Sequence, residues 1–215
     1  MIEAVVFDMD GVLFDTERLV MECWRKIAST MDICDIDSIL HACIGANKKA
    51  TQAIFLERLG EDFNFNHFDT QAHDIFVKQV EEEGLPIKLG VCELLEYLKE
   101  AGIKIGLASS TYEKEVRSHL KRAGIADYFE VIVGGDMVKA SKPDPEIYLT
   151  ACKKLGVEPR HAIAIEDSHN GVRSASSAGL RTIMVPDLLP ETEEIKALLY
   201  KKCDSLLEVM QHLQE

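Results

Sequence analysis

Residues 5–15 read VVFDMDGVLFD, a largely apolar stretch that contains three aspartates, Asp8, Asp10 and Asp15. The β-branched and aromatic character of residues 4–7 predicts a buried strand. Asp8 and Asp10 follow it directly, and Gly11 indicates that the extended geometry ends soon afterwards. Acids at the end of a strand fit either a turn, where Asp and Gly are common, or a site that uses carboxylates. The rest of the chain decides between these two interpretations.

Composition limits the classes of partner. With 215 residues, 47% hydrophobic and 28% charged, the chain can bury a substantial core, as one large domain or as a core with a smaller domain. The formal net charge of -13 predicts no nucleic-acid and no membrane partner. A small anionic substrate stays possible, because a local cluster of cations acts within the screening length.

The cysteines indicate a reducing compartment. The six are scattered without a CxxC pair or zinc-like spacing: Cys23, Cys34, Cys43, Cys92, Cys152 and Cys203. We interpret them as reduced core residues and expect a cytoplasmic protein. No secretory leader or membrane-spanning stretch is evident. The sequence carries no signal for an assembly, and a monomer is expected.

The order of helical and strand patterns predicts the domain organisation. Residues 16–84 show helical periodicity alone, at 17–29, 48–59 and 68–83. Beyond them, helices alternate with strands. Predicted strands lie at 103–108, 130–134, 161–166 and 180–185, and predicted helices at 91–100, 113–123, 146–155 and up to 175. This alternation predicts an α/β fold with a Rossmann-like parallel sheet, built from residues 1–15 and 85–215, and an inserted all-helical domain over residues 16–84.

Polar residues follow four of the predicted strands. They are Asp8 and Asp10, Ser109 and Ser110, Lys142, and Glu166 and Asp167. Ligands of open parallel sheets bind beyond the carboxyl ends of the strands, so these side chains are expected in one crevice. Taken singly, Lys142 also fits a solvated loop lysine. Ser109 and Asp167 also fit helix caps.

Together these groups suit phosphoryl transfer. Asp8 can act as a nucleophile that forms an aspartyl-phosphate. The repulsion between a carboxylate and a phosphate requires cations, which Lys142 and a Mg²⁺ ion held by Asp8, Asp10 and Asp167 can supply. Ser109 can donate a hydrogen bond to a phosphate oxygen.

Four motifs carry a family resemblance: FDMDGVLFDT (7–16), LASS (107–110), SKPDPEIY (141–148) and IEDSHNGV (165–172). In this order, they resemble those of the haloacid dehalogenase superfamily, in the helical-cap branch of phosphatases and β-phosphoglucomutase-like enzymes. The resemblance implies that residues 16–84 form the cap.

The resemblance also implies roles for single residues. Asp8 would be the nucleophile, and Asp10 the general acid/base and, through its carbonyl, a metal ligand. Ser109, with Ser110 beside it, and Lys142 would hold the phosphoryl group. Asp167, with Glu166, would bind Mg²⁺, and Thr16 would lie near the hinge to the cap.

Two cap positions bear on the reaction. The β-phosphoglucomutase pattern has an arginine shortly after the cap glycine and a histidine beyond the hinge threonine, whereas this chain has Lys48 and Val20. We therefore expect a Mg²⁺-dependent phosphatase for a small phosphorylated metabolite, sugar phosphates included. The alternatives are a sugar phosphomutase and an inactive module that only binds phosphometabolites. Lys48 is either a substrate contact or a solvated lysine at a helix start.

Overall fold

The computed structural model describes residues 2–44 and 48–214, and the side chain of Lys48 lies outside the described part. The chain divides into two compact units, residues 1–15 with 85–215, and residues 16–84. Among the described helices, none has both the length and the apolar composition of a membrane-spanning segment.

The first unit contains a parallel sheet, so the predicted α/β class is confirmed. Its strands are β1 (Ala4–Phe7), β2 (Lys104–Ala108), β3 (Val131–Val133), β4 (Ala162–Glu166), β5 (Arg181–Met184) and β6 (Lys201–Lys202). Within the described residues they form a six-stranded sheet in the order β3-β2-β1-β4-β5-β6. Val5 lies opposite Ile105 on one side and Ile163 on the other. The first strand is therefore central.

Helices connect and flank these strands. They are α5 (Val91–Glu100), α6 (Glu113–Arg122), α7 (Glu146–Leu155), α8 (His169–Ser177), α9 (Glu193–Lys196) and α10 (Leu206–Gln214). All four residues of β1 are fully buried. A central parallel strand is covered on both faces, which is why its sequence is continuously apolar rather than alternating.

The strand order fixes where a ligand can bind. The connection after β1 leads to β2 on one side, whereas β4 lies on the other side of β1. The order therefore reverses at β1, and in open parallel sheets ligands bind beyond the carboxyl ends of the strands at such a reversal. Asp8 and the polar ends of β2 and β4 all lie at this edge.

The second unit, residues 16–84, is helical. Its helices are α1 (Thr16–Thr30), α2 (Ile36–Cys43), α3 (Lys48–Leu59) and α4 (Phe65–Glu83). Trp24 and Phe55 pack edge to face with ring centroids 5.5 Å apart, and Phe55 and Phe68 are 5.0 Å apart. An aromatic cluster of this kind supplies the unit with its own hydrophobic core.

Some elements differ from the sequence expectations. The helix predicted from residue 68 begins at Phe65, because the Asn64 side chain accepts a hydrogen bond from the backbone N–H of His67 and caps the helix there. The strand β6 was not predicted. It consists of two lysines at the sheet edge and has no apolar run by which to recognise it.

Candidate functional site

The chain turns sharply after β1 and leaves Asp8 at the end of the sheet. The backbone N–H of Asp8 still donates to the Ile165 carbonyl of β4, at 3.0 Å. Gly11 then adopts a φ of +77°, a left-handed conformation that suits glycine. A Cβ on Gly11 would stand 2.1 Å from Asp167 Oδ2. The glycine thus allows both the turn and the close approach of Asp167.

Three carboxylates converge at this point. Asp8, Glu166 and Asp167 each offer an oxygen, and these oxygens lie within 4.8 Å of one another. Glu166 is fully buried, and Asp8 and Asp167 are each 8% exposed. So many buried negative charges require a compensating cation, and carboxylate oxygens are the ligands that Mg²⁺ prefers. The donor set therefore fits a hard divalent metal.

Lys142 supplies one positive charge from within the protein. Its Nζ donates to Asp8 Oδ1 at 2.5 Å, to Glu166 Oε1 at 2.6 Å and to the Ala108 carbonyl at 3.0 Å. The lysine side chain is 7% exposed. The loop after β3 therefore places the Lys142 ammonium within the buried acidic cluster. Lys142 is not a solvated surface lysine.

Burial sets the electrostatics of the cluster. Burial raises the pKa of Asp8 to about 7, with Lys142 acting in the opposite direction and Glu166 and Asp10 adding to the rise. Burial alone would lower the pKa of Lys142, but Asp8 and Glu166 more than offset it, so that this pKa is raised. Lys142 therefore stays an ammonium. A further cation beside Asp8 would lower the pKa of this carboxyl and favour the carboxylate anion.

The loop after β2 contacts Asp10. Ser109 is fully buried, and its Oγ accepts a hydrogen bond from the backbone N–H of Thr111 at 3.0 Å. The Thr111 hydroxyl in turn donates to Asp10 Oδ2 at 3.2 Å. Ser110 is exposed. The structure therefore brings the loop with Ser109 next to the second aspartate of the first motif.

The loop after β3, which contains Gly135 and Asp136, packs against the Ser109 loop. Asp136 Oδ1 accepts from the backbone N–H of Glu113 at 2.8 Å, at the start of α6. A Cβ on Gly135 would lie 2.2 Å from the Ser110 carbonyl oxygen, so the two loops pack backbone to backbone. Such close packing fixes the position of the Ser109 loop.

The start of α8 holds the second acidic pair. Ser168 caps the helix by accepting from the backbone N–H of Gly171 at 3.1 Å, and its hydroxyl donates to Glu166 Oε2 at 3.3 Å. A Cβ on Gly171 would lie 2.0 Å from the carboxylate oxygens of Glu166. The glycine in the fourth motif therefore leaves the space that the Glu166 carboxylate occupies.

The remaining predicted residues belong to the helical unit. Thr16 is the first residue of α1 and is buried, and its hydroxyl has no hydrogen-bond partner within the described part of the chain. The prediction for Lys48 concerns a side chain outside the described residues. Both therefore stay predictions.

Sequence reasoning assigned no role to Tyr148. This tyrosine is fully buried, and its hydroxyl donates to Glu166 Oε1 at 2.6 Å. It stands within the SKPDPEIY motif, six residues after Lys142 in the first turn of α7. In the sequence, Tyr148 lies on the apolar face of the predicted helix 146–155, so it is interpreted as a core aromatic residue. Its hydroxyl is the one feature that could have indicated a polar contact.

Comparisons with known proteins show the family to which the chain is similar. A family model described as haloacid dehalogenase-like hydrolase matches residues 5–185. A curated relative, the phosphorylated carbohydrates phosphatase of Thermotoga maritima, is 39% identical over 181 residues, which cover 84% of this chain and 83% of that protein. The β-phosphoglucomutase of Bacillus subtilis is 32% identical, over 85% of this chain and 83% of its own length.

The fold has a close match among solved structures. A crystal structure of a protein from Thermotoga maritima is 34% identical and superimposes with a TM-score of 0.81. The match covers 99% of both chains. The described fold thus has an experimentally determined counterpart over nearly its whole length.

Proposed function

Because the chain belongs to the haloacid dehalogenase-like hydrolases, we propose that it is a phosphatase that hydrolyses a small phosphorylated carbohydrate through an aspartyl-phosphate on Asp8. The observation that carries the proposal is the buried cluster around Asp8. Lys142 pairs with Asp8 and Glu166, and one carboxylate oxygen each from Asp8, Glu166 and Asp167 lies within 4.8 Å of the others.

Asp8 is suited to the role of nucleophile. One of its oxygens is held by Lys142 at 2.5 Å, which fixes the orientation of the carboxylate. In the first step an Asp8 oxygen forms a bond to phosphorus as the bond from phosphorus to the leaving alcohol breaks. In the second step water attacks the same phosphorus and releases inorganic phosphate and the free carboxylate. Lys142 offsets negative charge in both steps.

Asp10 is suited to moving the proton. It lies two residues from the nucleophile and is partly exposed, with Thr111 donating to it. As a carboxylic acid it can protonate the leaving alcohol, and as a carboxylate it can then accept a proton from the attacking water. Ser109 at the end of β2 is proposed to orient the phosphoryl group.

The carboxylates of Asp8 and Asp167 would hold Mg²⁺, with Glu166 within reach and the Asp10 carbonyl as a further candidate ligand. When bound, the ion neutralises charge on the phosphoryl oxygens and aligns phosphorus with the nucleophile. The fit rests on the three convergent oxygens and on the space that Gly11 leaves for Asp167.

A sugar phosphomutase is the second candidate, because a β-phosphoglucomutase is among the relatives. The two functions differ in the acceptor of the phosphoryl group, which is water in one and a second sugar hydroxyl in the other. Lys48 and Val20 stand where the mutase pattern has arginine and histidine, and this favours the phosphatase.

We also propose a cytoplasmic location, which the free state of all six cysteines supports.

The test is a turnover assay over a panel of phosphorylated carbohydrates and p-nitrophenyl phosphate, with Mg²⁺. A phosphatase releases inorganic phosphate, whereas a mutase converts one sugar phosphate into its isomer without net release. The Asp8→Asn variant is the control, since its amide keeps the shape of the carboxylate and cannot act as the nucleophile. Binding without turnover in the wild-type protein would indicate the inactive module and contradict the proposal.

A further inference from the structure

The hydrogen bonds of Lys142 leave no proton for a substrate. An ammonium group has three N–H donors, and three acceptors already receive them: Asp8 Oδ1, Glu166 Oε1 and the Ala108 carbonyl. Tyr148 Oη lies 3.5 Å from Nζ, too far to compete with these acceptors. If Lys142 is to bind a transferring phosphoryl group, it has to give up one of the three.

The chemical step indicates how Lys142 reorients. When Asp8 forms a bond to phosphorus, its carboxylate loses negative charge and becomes a weaker acceptor. The phosphoryl oxygens then compete for the ammonium, and the N–H that Lys142 turns toward them is taken either from Asp8 or from Glu166. The second case is the one in which Tyr148 matters. Glu166 is fully buried, and a buried carboxylate that loses its donor is strongly destabilising.

Tyr148 is placed to prevent that loss. Its hydroxyl donates to Glu166 Oε1, the same oxygen that accepts from Lys142, and the tyrosine is itself fully buried. The other carboxylate oxygen, Oε2, has Ser168 Oγ at the longer distance of 3.3 Å. The ring also lies beneath the ammonium, with Nζ 5.1 Å from its centroid, and this favours a charged lysine throughout.

We propose that Tyr148 is a positioning residue for phosphoryl transfer: its hydroxyl keeps a hydrogen bond on Glu166 while Lys142 turns from Glu166 to the phosphoryl group. This inference rests on the proposed function. It assigns to Tyr148 an effect on the chemical step rather than on substrate binding.

The first test is Tyr148→Phe, which removes the hydroxyl and keeps the ring. We expect kcat for p-nitrophenyl phosphate to fall between about tenfold and a hundredfold, the size of one hydrogen bond to a buried charge, with KM within about threefold of wild type. Tyr97→Phe is the matched control. It also removes a tyrosine hydroxyl hydrogen bond, to the Leu213 carbonyl at 2.9 Å, but at the packing of α5 against α10.

The second test measures coupling. In the Glu166→Gln background the buried charge is absent, so adding Tyr148→Phe should reduce kcat by less than about threefold. This double variant also serves if Tyr148→Phe alone fails to fold, because the neutral amide tolerates the loss of a donor. Equal effects of Tyr148→Phe in both backgrounds would overturn the proposal.

The third test does not depend on turnover. Mg²⁺ with fluoroberyllate, which adds to a carboxylate as a phosphoryl mimic, should raise the melting temperature of the wild type and of Tyr97→Phe equally, and that of Tyr148→Phe less. Wild-type kcat and an undiminished rise in Tyr148→Phe would overturn the inference alone. Neither turnover nor a rise in the wild-type protein would overturn the proposed function and this inference with it.

Discussion

Asp8 and Asp10 are two residues apart, yet their surroundings differ. Asp8 is 8% exposed and paired with Lys142, whereas Asp10 is partly exposed and receives a hydrogen bond from Thr111. Neighbouring carboxyl groups in unlike environments can carry unlike roles. The arrangement suits a fixed nucleophile beside an acid that exchanges protons with the leaving group and with water.

Asp10→Asn tests this division of roles. A general acid matters most for a poor leaving group, so kcat for an alkyl phosphate should fall by at least about a hundredfold. The loss for p-nitrophenyl phosphate should be clearly smaller, because its phenolate needs little protonation. Steady-state kinetics on both substrates give the comparison, and equal losses would contradict a role for Asp10 in protonating the leaving group.

Gly171→Ala tests the packing around Glu166. Alanine is the better helix former by about 1 kcal/mol, so propensity alone predicts a more stable helix α8. The new Cβ would lie 2.0 Å from the Glu166 carboxylate oxygens, which must then move away from Lys142. We therefore expect kcat to fall at least about tenfold, the effect of misplacing a catalytic contact.

Ser177→Ala, at the exposed end of the same helix, is the control for that variant and should keep wild-type kcat. Wild-type kcat in Gly171→Ala would show that the Glu166 carboxylate does not need the space that Gly171 leaves.

At the scale of elements, the ends of β1 and β4 bring together carboxylates that are far apart in the sequence. Val5 pairs with Ile163 and Phe7 with Ile165, so Asp8 and Glu166 occupy matching places just beyond this register. Parallel strands make such convergence possible because their carboxyl ends share one edge. The convergence of these carboxylates is therefore a property of strand register as well as of residue type.

The raised pKa of Asp8 predicts how Mg²⁺ binding depends on pH. With this pKa at about 7, Asp8 is mostly protonated below pH 7, and a metal has to displace the proton. Mg²⁺ affinity should therefore rise with pH, by about fivefold between pH 6 and pH 7 and about twofold more above pH 7, and level off near pH 8. Calorimetric titration with Mg²⁺ from pH 5.5 to 8.5 measures this slope, and an affinity independent of pH would contradict it.

Asp167→Ala tests the proposed metal site. It removes a carboxylate that approaches Asp8 and Glu166 within 4.8 Å, so the Mg²⁺ concentration required for half-maximal activity should increase by at least about tenfold. Full wild-type activity in excess EDTA would show that no divalent metal takes part.

The sequence predicted β1 to β5 because each coincides with a short, largely apolar stretch. It placed Asp8, Lys142, Glu166 and Asp167 at one edge because strand ends follow from that pattern. The role of Tyr148 could not be predicted, since its partner Glu166 is 18 residues away and the contact depends on packing. The two-lysine strand β6 escaped prediction because sheet pairing, not composition, defines it.

At the scale of the whole molecule, the chain combines a unit that carries the acidic cluster with a helical unit over residues 16–84. The motifs of the first unit account for the proposed chemistry, and none of them identifies the proposed carbohydrate substrate. We propose that the helical unit supplies the specificity, as the cap resemblance implies.

Lys48→Ala tests this proposal. If Lys48 binds a part of the substrate remote from the phosphoryl group, its loss should lower kcat/KM for the best carbohydrate phosphate by about tenfold or more, and leave p-nitrophenyl phosphate nearly unaffected. Lys49→Ala, in the adjacent exposed position of α3, is the matched control. Equal losses on both substrates would indicate a damaged helical unit, and no loss on either would leave Lys48 as surface charge.

The central claim, a phosphoryl group carried on Asp8, is tested most directly by the stereochemistry at phosphorus. A thiophosphate ester made chiral with oxygen isotopes is hydrolysed in water that carries the remaining isotope, and the configuration of the released thiophosphate is determined. Each in-line displacement inverts phosphorus, so two successive displacements through the Asp8 carboxylate predict overall retention. Overall inversion would mean that water attacks the substrate directly and would contradict the account.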